Sequence, residues 1–145
     1  MKKDQQYKKI IDKVVNCKLN MKDIAIELGK TVTGDFADQL EDLVEAGFLT
    51  KDLGWNIAKE TEKNPGYYRI SDNYIRFYLR YIEPFKNRIK SGKITTLPKG
   101  WKAILGLQFE NLVCNNEKAL FKHLNLTPDE VIWSGPYLQV KGSIQ

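Results

Sequence analysis

The amino-acid sequence predicts a mainly α fold with a small β-hairpin. Three helical stripes of apolar residues occupy the first third of the chain, and two short runs of β-forming residues follow them. Further helical patterns then lead to two more short β-type runs at the end. A chain of 145 residues is long enough for one domain of ordinary size, or for two small ones.

Each of the three stripes predicts one helix. The first is expected over residues 4–17, where one face carries Tyr7, Ile10, Ile11, Val14 and Val15. The second is expected over residues 21–28, with Asn20 as its N-cap. The third is expected over residues 34–46 and ends at Gly47, where a positive φ costs little. Three helices of this length joined by tight turns predict helix-turn-helix packing.

Two β-type runs after the third helix predict the hairpin. Phe48 and Leu49 begin its first strand, and residues 67–70 form the returning strand. Between them, residues 52–65 are polar and rich in turn-forming residues. Helices followed by such a hairpin predict a winged helix-turn-helix domain over residues 1–71.

The remaining chain is predicted to be helical until its last residues. Asp72 is expected to cap a fourth helix, which is surrounded by aromatic residues and therefore needs burial. Connecting helices over residues 72–97 lead to a long amphipathic helix over residues 101–124. Two short terminal strands are expected over residues 131–133 and 137–140.

Composition places the chain among globular proteins. Hydrophobic residues make up 42% and charged residues 28% of the chain, which is enough apolar surface for a core. The lysine-rich start lacks the apolar stretch of a secretory signal, and no apolar run is long enough to span a membrane. Cys17 and Cys114 are too few for a disulfide framework or a metal cluster. We therefore expect a soluble, cytoplasmic protein that does not contact membranes.

Candidate catalytic and metal-ligating residues are isolated from one another. Residues 29–31 imitate the end of a phosphate-binding loop, but that loop needs a glycine where Ile24 stands. His123 is the single histidine and has no carboxylate or cysteine at ligand spacing. Glu110 is the one carboxylate on an otherwise apolar stretch, and a lone carboxylate binds a divalent metal weakly. We expect no enzyme activity, no metal and no cofactor.

Several longer motifs resemble a known family. The resemblance is carried by LEDLVEAGFL (40–49), YYRISDNYIRFYLRYIEPFKNRIKSG (67–92), WKAILGLQFENLVCNNEKALFKHLNL (101–126) and WSGPYLQVKG (133–142). These segments are similar to the C-terminal portion of archaeal and bacterial AAA-superfamily, STAND-like ATPases. In that family a winged helix follows the ATPase core and precedes a restriction-endonuclease-like domain of unknown function. The resemblance implies that residues 98–145 are the incomplete N-terminal part of the nuclease-like domain.

The same resemblance implies that two functional parts of the family are missing. The ATPase core, with its nucleotide-binding loop, would precede Met1. The nuclease-like domain pairs a helix glutamate, which matches Glu110, with an aspartate and a Glu-x-Lys on later strands, and the chain ends at Gln145 before either. The resemblance therefore implies a piece or remnant of a longer protein, which hydrolyses neither ATP nor phosphodiesters.

The charges divide into two candidate surfaces. The chain has 23 Lys and Arg residues against 18 Asp and Glu residues. The third helix, however, contains no basic residue, and its acidic residues are Asp35, Asp38, Glu41, Asp42 and Glu45. Like-charge repulsion opposes entry of that helix into a DNA groove. Residues 76–102 hold eight basic residues and one acidic residue. The expected phosphate contacts there are Lys86, Arg88, Lys90 and Lys93, and a second patch on the hairpin comprises Lys51, Lys59 and Lys63.

These surfaces favour one function and leave an alternative open. The favoured function is a regulatory winged-helix module that binds DNA through phosphate contacts. The alternative is a protein-interaction or oligomerisation module without nucleic-acid binding, whose partner would be an ATPase core or a second copy of the chain. Arg76 and Arg80 are also candidates for buried ion pairs with Asp72 or Glu83.

Overall fold

A computed structural model describes residues 3–136, apart from the side chains of Lys3, Lys63 and Asn64. The first half contains three helices and three strands, in the order α1 (Lys3–Val14), β1 (Leu19–Asn20), α2 (Met21–Glu27), α3 (Gly34–Glu45), β2 (Leu49–Asn56) and β3 (Thr61–Ile70). The second half is helical and contains α4 (Asn73–Phe77), a π-helical turn (Tyr78–Ile82), a 3-10 turn (Glu83–Phe85), α5 (Lys86–Lys90), α6 (Trp101–Asn115), α7 (Glu117–His123) and a 3-10 turn (Pro128–Glu130). No helix in this described part is long and apolar enough to cross a membrane.

The three strands form one antiparallel sheet in the order β1–β3–β2. The hairpin β2–β3 pairs from Leu49 opposite Ile70 to Asn56 opposite Thr61. On the other edge of β3, Leu19 of β1 lies opposite Tyr68. The short strand between α1 and α2 therefore extends the hairpin into a sheet.

The hairpin contains a bulge that places Pro65 inside a strand. The register shifts between the pairs Asp52–Tyr67 and Gly54–Lys63. Between these pairs β2 has one residue, Leu53, whereas β3 has three. Pro65 has no amide hydrogen, and a bulge tolerates this loss because its residues leave the ladder. A Cβ atom on Gly66 would lie 2.9 Å from the Leu53 Cδ2 atom and 3.3 Å from the Asp52 carbonyl oxygen. The close approach of the two strands therefore favours glycine, since a larger residue would require Leu53 and its neighbours to shift. The chain reverses later, at residues 57–60.

This sheet shows that the predicted fold class is wrong. The fold is α+β with an antiparallel sheet, not mainly α with a small β-hairpin. Residues 52–65 were expected to be turn-rich, but most of them belong to strands, because Pro65 fills a bulge and does not make a turn. β1 is too short to produce an alternating pattern. Residues 131–133 do not form the expected strand, and residues 137–140 lie outside the described chain.

The core lies between the first three helices and the sheet. Its members are the buried residues Ile10, Ile11, Val14, Ile24, Ala25, Phe36, Leu40, Leu43, Leu49, Tyr68 and Ile70. Residues from α1, α2 and α3 thus share one cluster, which confirms the packing expected from their apolar stripes. The antiparallel pairing expected between residues near 48 and 68 is also confirmed.

Capping side chains and one glycine set the ends of several helices. Asn20 accepts a hydrogen bond from the Asp23 amide, as expected for the N-cap of α2. Asp72 caps α4 and accepts hydrogen bonds from two backbone amides. Gly47 follows α3 with φ of 77°, a conformation that glycine adopts without steric cost.

The two long helices expected in the second half are both interrupted. The aromatic helix that begins as α4 widens into the π-helical turn and then tightens into the 3-10 turn that contains Pro84. The helix expected over residues 101–124 ends at Asn115 and resumes at Glu117. At the break, the Asn116 side-chain amide donates to the Leu112 carbonyl oxygen at 2.7 Å. The first interruption thus leads to a proline, which lacks a backbone donor, and at the second a side chain takes over a backbone acceptor.

Candidate functional site

The four cations predicted to contact phosphate lie together in residues 86–93, here called the basic segment. Lys86, Arg88 and Lys90 are in α5, Lys93 follows it, and all four side chains are exposed. The segment contains no acidic residue. None of the ion pairs found within residues 3–136 includes one of these four side chains. The cations are therefore free to meet an external anion.

A groove of about 740 Å³ adjoins the basic segment. It is lined by Phe77, Tyr81 and Phe85, together with residues of the connector between α5 and α6, and we call it the aromatic groove. The ring centroids of Phe77 and Tyr81 are 5.6 Å apart, with an interplanar angle of 56°. The charged residues among its lining are Arg88 and Lys99. The groove thus combines aromatic rings with positive charge.

The second predicted patch, on the hairpin, has mixed charge. Lys51 is exposed on β2, and its Nζ atom lies 5.8 Å from the centroid of the Tyr68 ring. Lys59 is exposed in the turn between the strands, while the side chain of Lys63 lies outside the described part. The exposed carboxylates of Glu60 and Glu62 occupy the same end of the hairpin. This patch therefore attracts an anion less strongly than the basic segment does.

Helix α3 presents an acidic face to solvent. Its exposed carboxylates are Asp35, Asp38, Glu41, Asp42 and Glu45. The opposite face is buried in the core through Phe36, Leu40 and Leu43. The side-chain amide of Gln39 donates to Asp35 at 2.6 Å, and the Tyr7 hydroxyl donates to Asp42. These contacts leave the face acidic, so phosphate groups are repelled from it.

A second groove of about 590 Å³ runs beside this acidic helix, and we call it the α1–α3 groove. Its apolar lining includes Ile11, Leu43 and Phe48. Asp4 and Asp42 also line it. The charged residues that line the α1–α3 groove are therefore two carboxylates and one lysine, Lys8. Those that line the aromatic groove are both cations.

The remaining candidate residues, Glu110, His123 and Cys114, lie in different environments. Glu110 accepts a hydrogen bond from the Lys18 ammonium group, and His123 is exposed at the end of α7. Burial raises the pKa of the Cys114 thiol, which favours its neutral form. Among the described residues, no three His, Cys, Asp or Glu side chains are grouped so that they could hold a metal ion.

A buried polar cluster joins the sheet to α6, and the sequence patterns do not predict it. Arg69 donates from Nε to the two carboxylate oxygens of Asp52 at 2.9 and 3.2 Å. It also donates from Nη1 to the Asn111 side-chain oxygen at 2.5 Å. The Asn111 side-chain nitrogen then donates to the Ile70 carbonyl oxygen and to the Asn73 side-chain oxygen, both at 2.9 Å. We call this set the Arg69–Asn111 cluster, and its burial makes it structural.

Arg76 is buried beside this cluster and is not available to a ligand. It is 3% exposed and donates from Nη2 to the Ile70 carbonyl oxygen at 3.2 Å. Its Nε and Nη1 atoms have no hydrogen-bond partner within the described chain. Burial, together with the nearby charge of Arg69, lowers the pKa of Arg76. Glu83, one of the ion-pair partners expected for it, pairs with Lys8 at 2.6 Å instead.

The chain is similar in sequence to part of a longer archaeal protein. It is 30% identical over 108 residues to the uncharacterized protein MJECL04 of Methanocaldococcus jannaschii. The matched part is 73% of this chain but 24% of that protein, so the chain spans about a quarter of the relative's length. No protein-family model matches the chain. No solved structure matches it either.

Proposed function

We propose that the protein is a regulatory winged-helix module that binds DNA through its phosphates. The observation that carries this proposal is the basic segment, where Lys86, Arg88, Lys90 and Lys93 are exposed without an intervening carboxylate. Such a surface neutralises phosphates and releases counterions, which favours binding of any sequence at low salt. Binding is therefore expected to be weak, salt-sensitive and largely independent of sequence.

In this proposal, α2 and α3 form the helix-turn-helix and the β2–β3 hairpin forms the wing, but α3 does not enter the DNA. A helix in the major groove lies close to phosphates on both strands. The five exposed carboxylates of α3 would face these phosphates across a short distance. The basic segment is the better phosphate contact, and the hairpin lysines are a secondary one.

We assign the module to the AAA-superfamily, STAND-like ATPases on the motif resemblance. DNA bound at the basic segment would then regulate an ATPase core in a longer protein or in a second chain. The module itself would carry no catalytic step. The pairing of Glu110 with Lys18 supports the lack of a catalytic step, because the carboxylate that matches the nuclease-like motif already has a partner.

A second candidate function is a protein-interaction or oligomerisation module, and the surface of α6 favours it. Leu105, Phe109 and Leu112 are 44%, 66% and 56% exposed on this helix. Apolar residues grouped on a surface commonly mark an interface with another protein. The acidic face of α3 would add attraction for a basic partner.

The proposed function is tested by measuring DNA affinity against salt. Fluorescence anisotropy with a labelled duplex of about 20 base pairs, from about 50 to 300 mM KCl, gives the slope of log affinity against log salt. Replacing Lys86, Arg88, Lys90 and Lys93 with glutamine is expected to weaken binding equally for different sequences. The slope should flatten by about 0.9 for each phosphate that the variant no longer neutralises.

A matched control separates position from net charge. Arg88→Gln with Lys90→Gln removes two charges from the basic segment, while Lys118→Gln with Lys122→Gln removes two exposed charges from α7. Only the first pair is expected to change the salt slope. An affinity that is indifferent to the basic segment, but collapses when α3 is altered, would contradict the proposal.

A further inference from the structure

The aromatic groove is created where the helix after β3 changes its geometry. Tyr78–Ile82 form a π-helical turn, and Pro84 follows in the 3-10 turn Glu83–Phe85. Short π-helical turns often occur at functional sites, because they displace side chains from the regular helical spacing. Here they precede the basic segment directly, and residues 94–99 of the connector line the same groove.

Aromatic rings and cations line this groove together. Phe85 is 38% exposed, so part of its ring is accessible. Phe77 and Tyr81 line the groove close to each other. Arg88 and Lys99 supply its charge. A ligand that matches this lining has a flat ring and an anionic group next to it.

We propose that the aromatic groove binds an unpaired nucleobase, so that the DNA recognised by the protein is single-stranded or contains unpaired bases. This inference rests on the proposed function, because it assigns a class of DNA to the same basic surface. In a regular duplex both faces of each base are covered by stacking. Unpaired bases expose a face that stacks on aromatic side chains without strong dependence on sequence.

The cations outside the groove extend the site along a strand. Arg88 belongs to both the groove and the basic segment. A base in the groove would bring its own phosphate to Arg88 or Lys99, and Lys86, Lys90 and Lys93 would contact the phosphates of neighbouring nucleotides. This combination of a stacking site with a row of cations is typical of proteins that bind single strands. An acidic peptide also carries anions, but a nucleotide chain supplies a ring and a phosphate in every unit.

Two exposed phenylalanines allow a matched test. Phe85 lines the aromatic groove and is 38% exposed, whereas Phe48 lines the α1–α3 groove and is 40% exposed. Fluorescence anisotropy is measured with a labelled oligothymidylate of about 12 nucleotides and with a duplex of about 20 base pairs. The wild-type protein is expected to bind the single strand more tightly than the duplex.

Phe85→Ala is expected to weaken single-strand binding roughly 5- to 100-fold, because the base no longer has this ring to stack on. Duplex binding should stay within about twofold, since it depends on the phosphates. Phe48→Ala should change neither affinity. Phe85→Trp should retain single-strand binding, because an aromatic face remains. Phe85→Leu keeps apolar volume but removes the ring, so it replaces Phe85→Ala if thermal denaturation shows that the alanine variant does not fold.

Three results would contradict the inference. Single-strand affinity that is unchanged in Phe85→Ala and Phe85→Leu would exclude stacking in the groove, while weaker binding by the basic-segment variant would still support the proposed function. An equal decrease for both forms of DNA would also exclude a base-specific role for Phe85. Binding of a polyglutamate peptide that depends on Phe85, without binding of oligothymidylate, would assign the groove to an acidic peptide. If neither DNA form depends on the basic segment, the proposed function itself fails.

Discussion

Arg69 and Asn111 connect the sheet to α6 through a hydrogen bond of 2.5 Å between Nη1 of the arginine and the side-chain oxygen of the asparagine. Both residues are buried. The bond joins positions that are 42 residues apart in the chain. Because Arg69 also pairs with Asp52, a charge from the hairpin is satisfied partly by a helix outside it. The orientation of α6 on the sheet therefore depends on polar contacts as well as on apolar packing.

We expect Asn111→Ala to loosen α6 from the sheet. The substitution removes the acceptor of the Arg69 Nη1 atom and leaves the Ser71 carbonyl oxygen without its bond from Asn111. The free energy of unfolding should fall by about 2 kcal/mol or more, because buried polar groups lose their partners. Hydrogen exchange of the α6 amides should become faster. Asn115→Ala, at an exposed position of the same helix, should change stability by less than about 0.5 kcal/mol. Unchanged protection of α6 in the Asn111 variant would contradict this role.

Two buried arginines are expected to differ sharply when each is replaced with methionine. Arg69→Met leaves the buried Asp52 carboxylate without its partner and should cost about 3 to 5 kcal/mol. Arg76→Met removes a buried cation whose Nε and Nη1 atoms have no hydrogen-bond partner in the described chain. The Ile70 carbonyl oxygen keeps its bond from Asn111, so the change should be less than about 1 kcal/mol, or stabilising. Urea denaturation measures both values, and equal losses would show that Arg76 has an essential partner.

Asp52 is expected to make stability depend on pH. Burial raises the pKa of the Asp52 carboxyl, and the attraction of Arg69 offsets this only in part. On acidification the folded protein therefore binds a proton at a pH where the unfolded chain remains ionised. The contribution of Asp52 to the free energy of unfolding then increases as the pH falls from the raised pKa towards the ordinary one. The gain is about 1.4 kcal/mol for each unit between the two pKa values.

The measurement compares wild type with Asp52→Asn by urea denaturation at pH values from about 7 to 4. The wild type should gain stability relative to the variant as the pH is lowered through this window. A relative loss over the same range would mean that Arg69 dominates and that the pKa of Asp52 is depressed.

The two faces of α3 should respond differently to truncation. Leu40 is fully buried, whereas the next residue, Glu41, is exposed. Leu40→Ala is expected to cost about 2 to 5 kcal/mol because it leaves a cavity in the core. Glu41→Ala should stay within about 0.5 kcal/mol. Thermal denaturation compares the two variants, and similar losses would place Glu41 in a stabilising contact.

The sequence predicts much of the helical packing because that packing follows local patterns. The apolar stripes of α1, α2 and α3 identify the residues that meet in the core, and Asn20 identifies the start of α2. The sheet is predicted less well. Pro65 and Gly66 have the composition of a turn, but the pairing of β2 with β3 places them in a bulge. A bulge depends on the partner strand, so the sequence around Pro65 alone does not distinguish it from a turn.

The sequence likewise predicts one part of the candidate site and not the rest. The exposure of Lys86, Arg88, Lys90 and Lys93 is predictable because these cations are close together in the sequence, with few apolar residues between them. The aromatic groove has no such local signal, because its lining combines the π-helical turn with the connector that follows α5. The Arg69–Asn111 cluster is equally hidden, since polar side chains far apart in sequence carry no periodic pattern. The segment rich in charge is predictable, and the shape beside it is not.

The most direct measurement of the proposed interface is an amide NMR titration. The ¹⁵N-labelled protein is titrated with the single-stranded oligothymidylate, and chemical-shift changes are mapped on the assigned backbone. The largest changes are expected in residues 86–93 and in the residues that line the aromatic groove, with little change in α3. The largest changes in residues 34–45, with residues 86–93 unaffected, would contradict the proposal that the basic segment binds the phosphates.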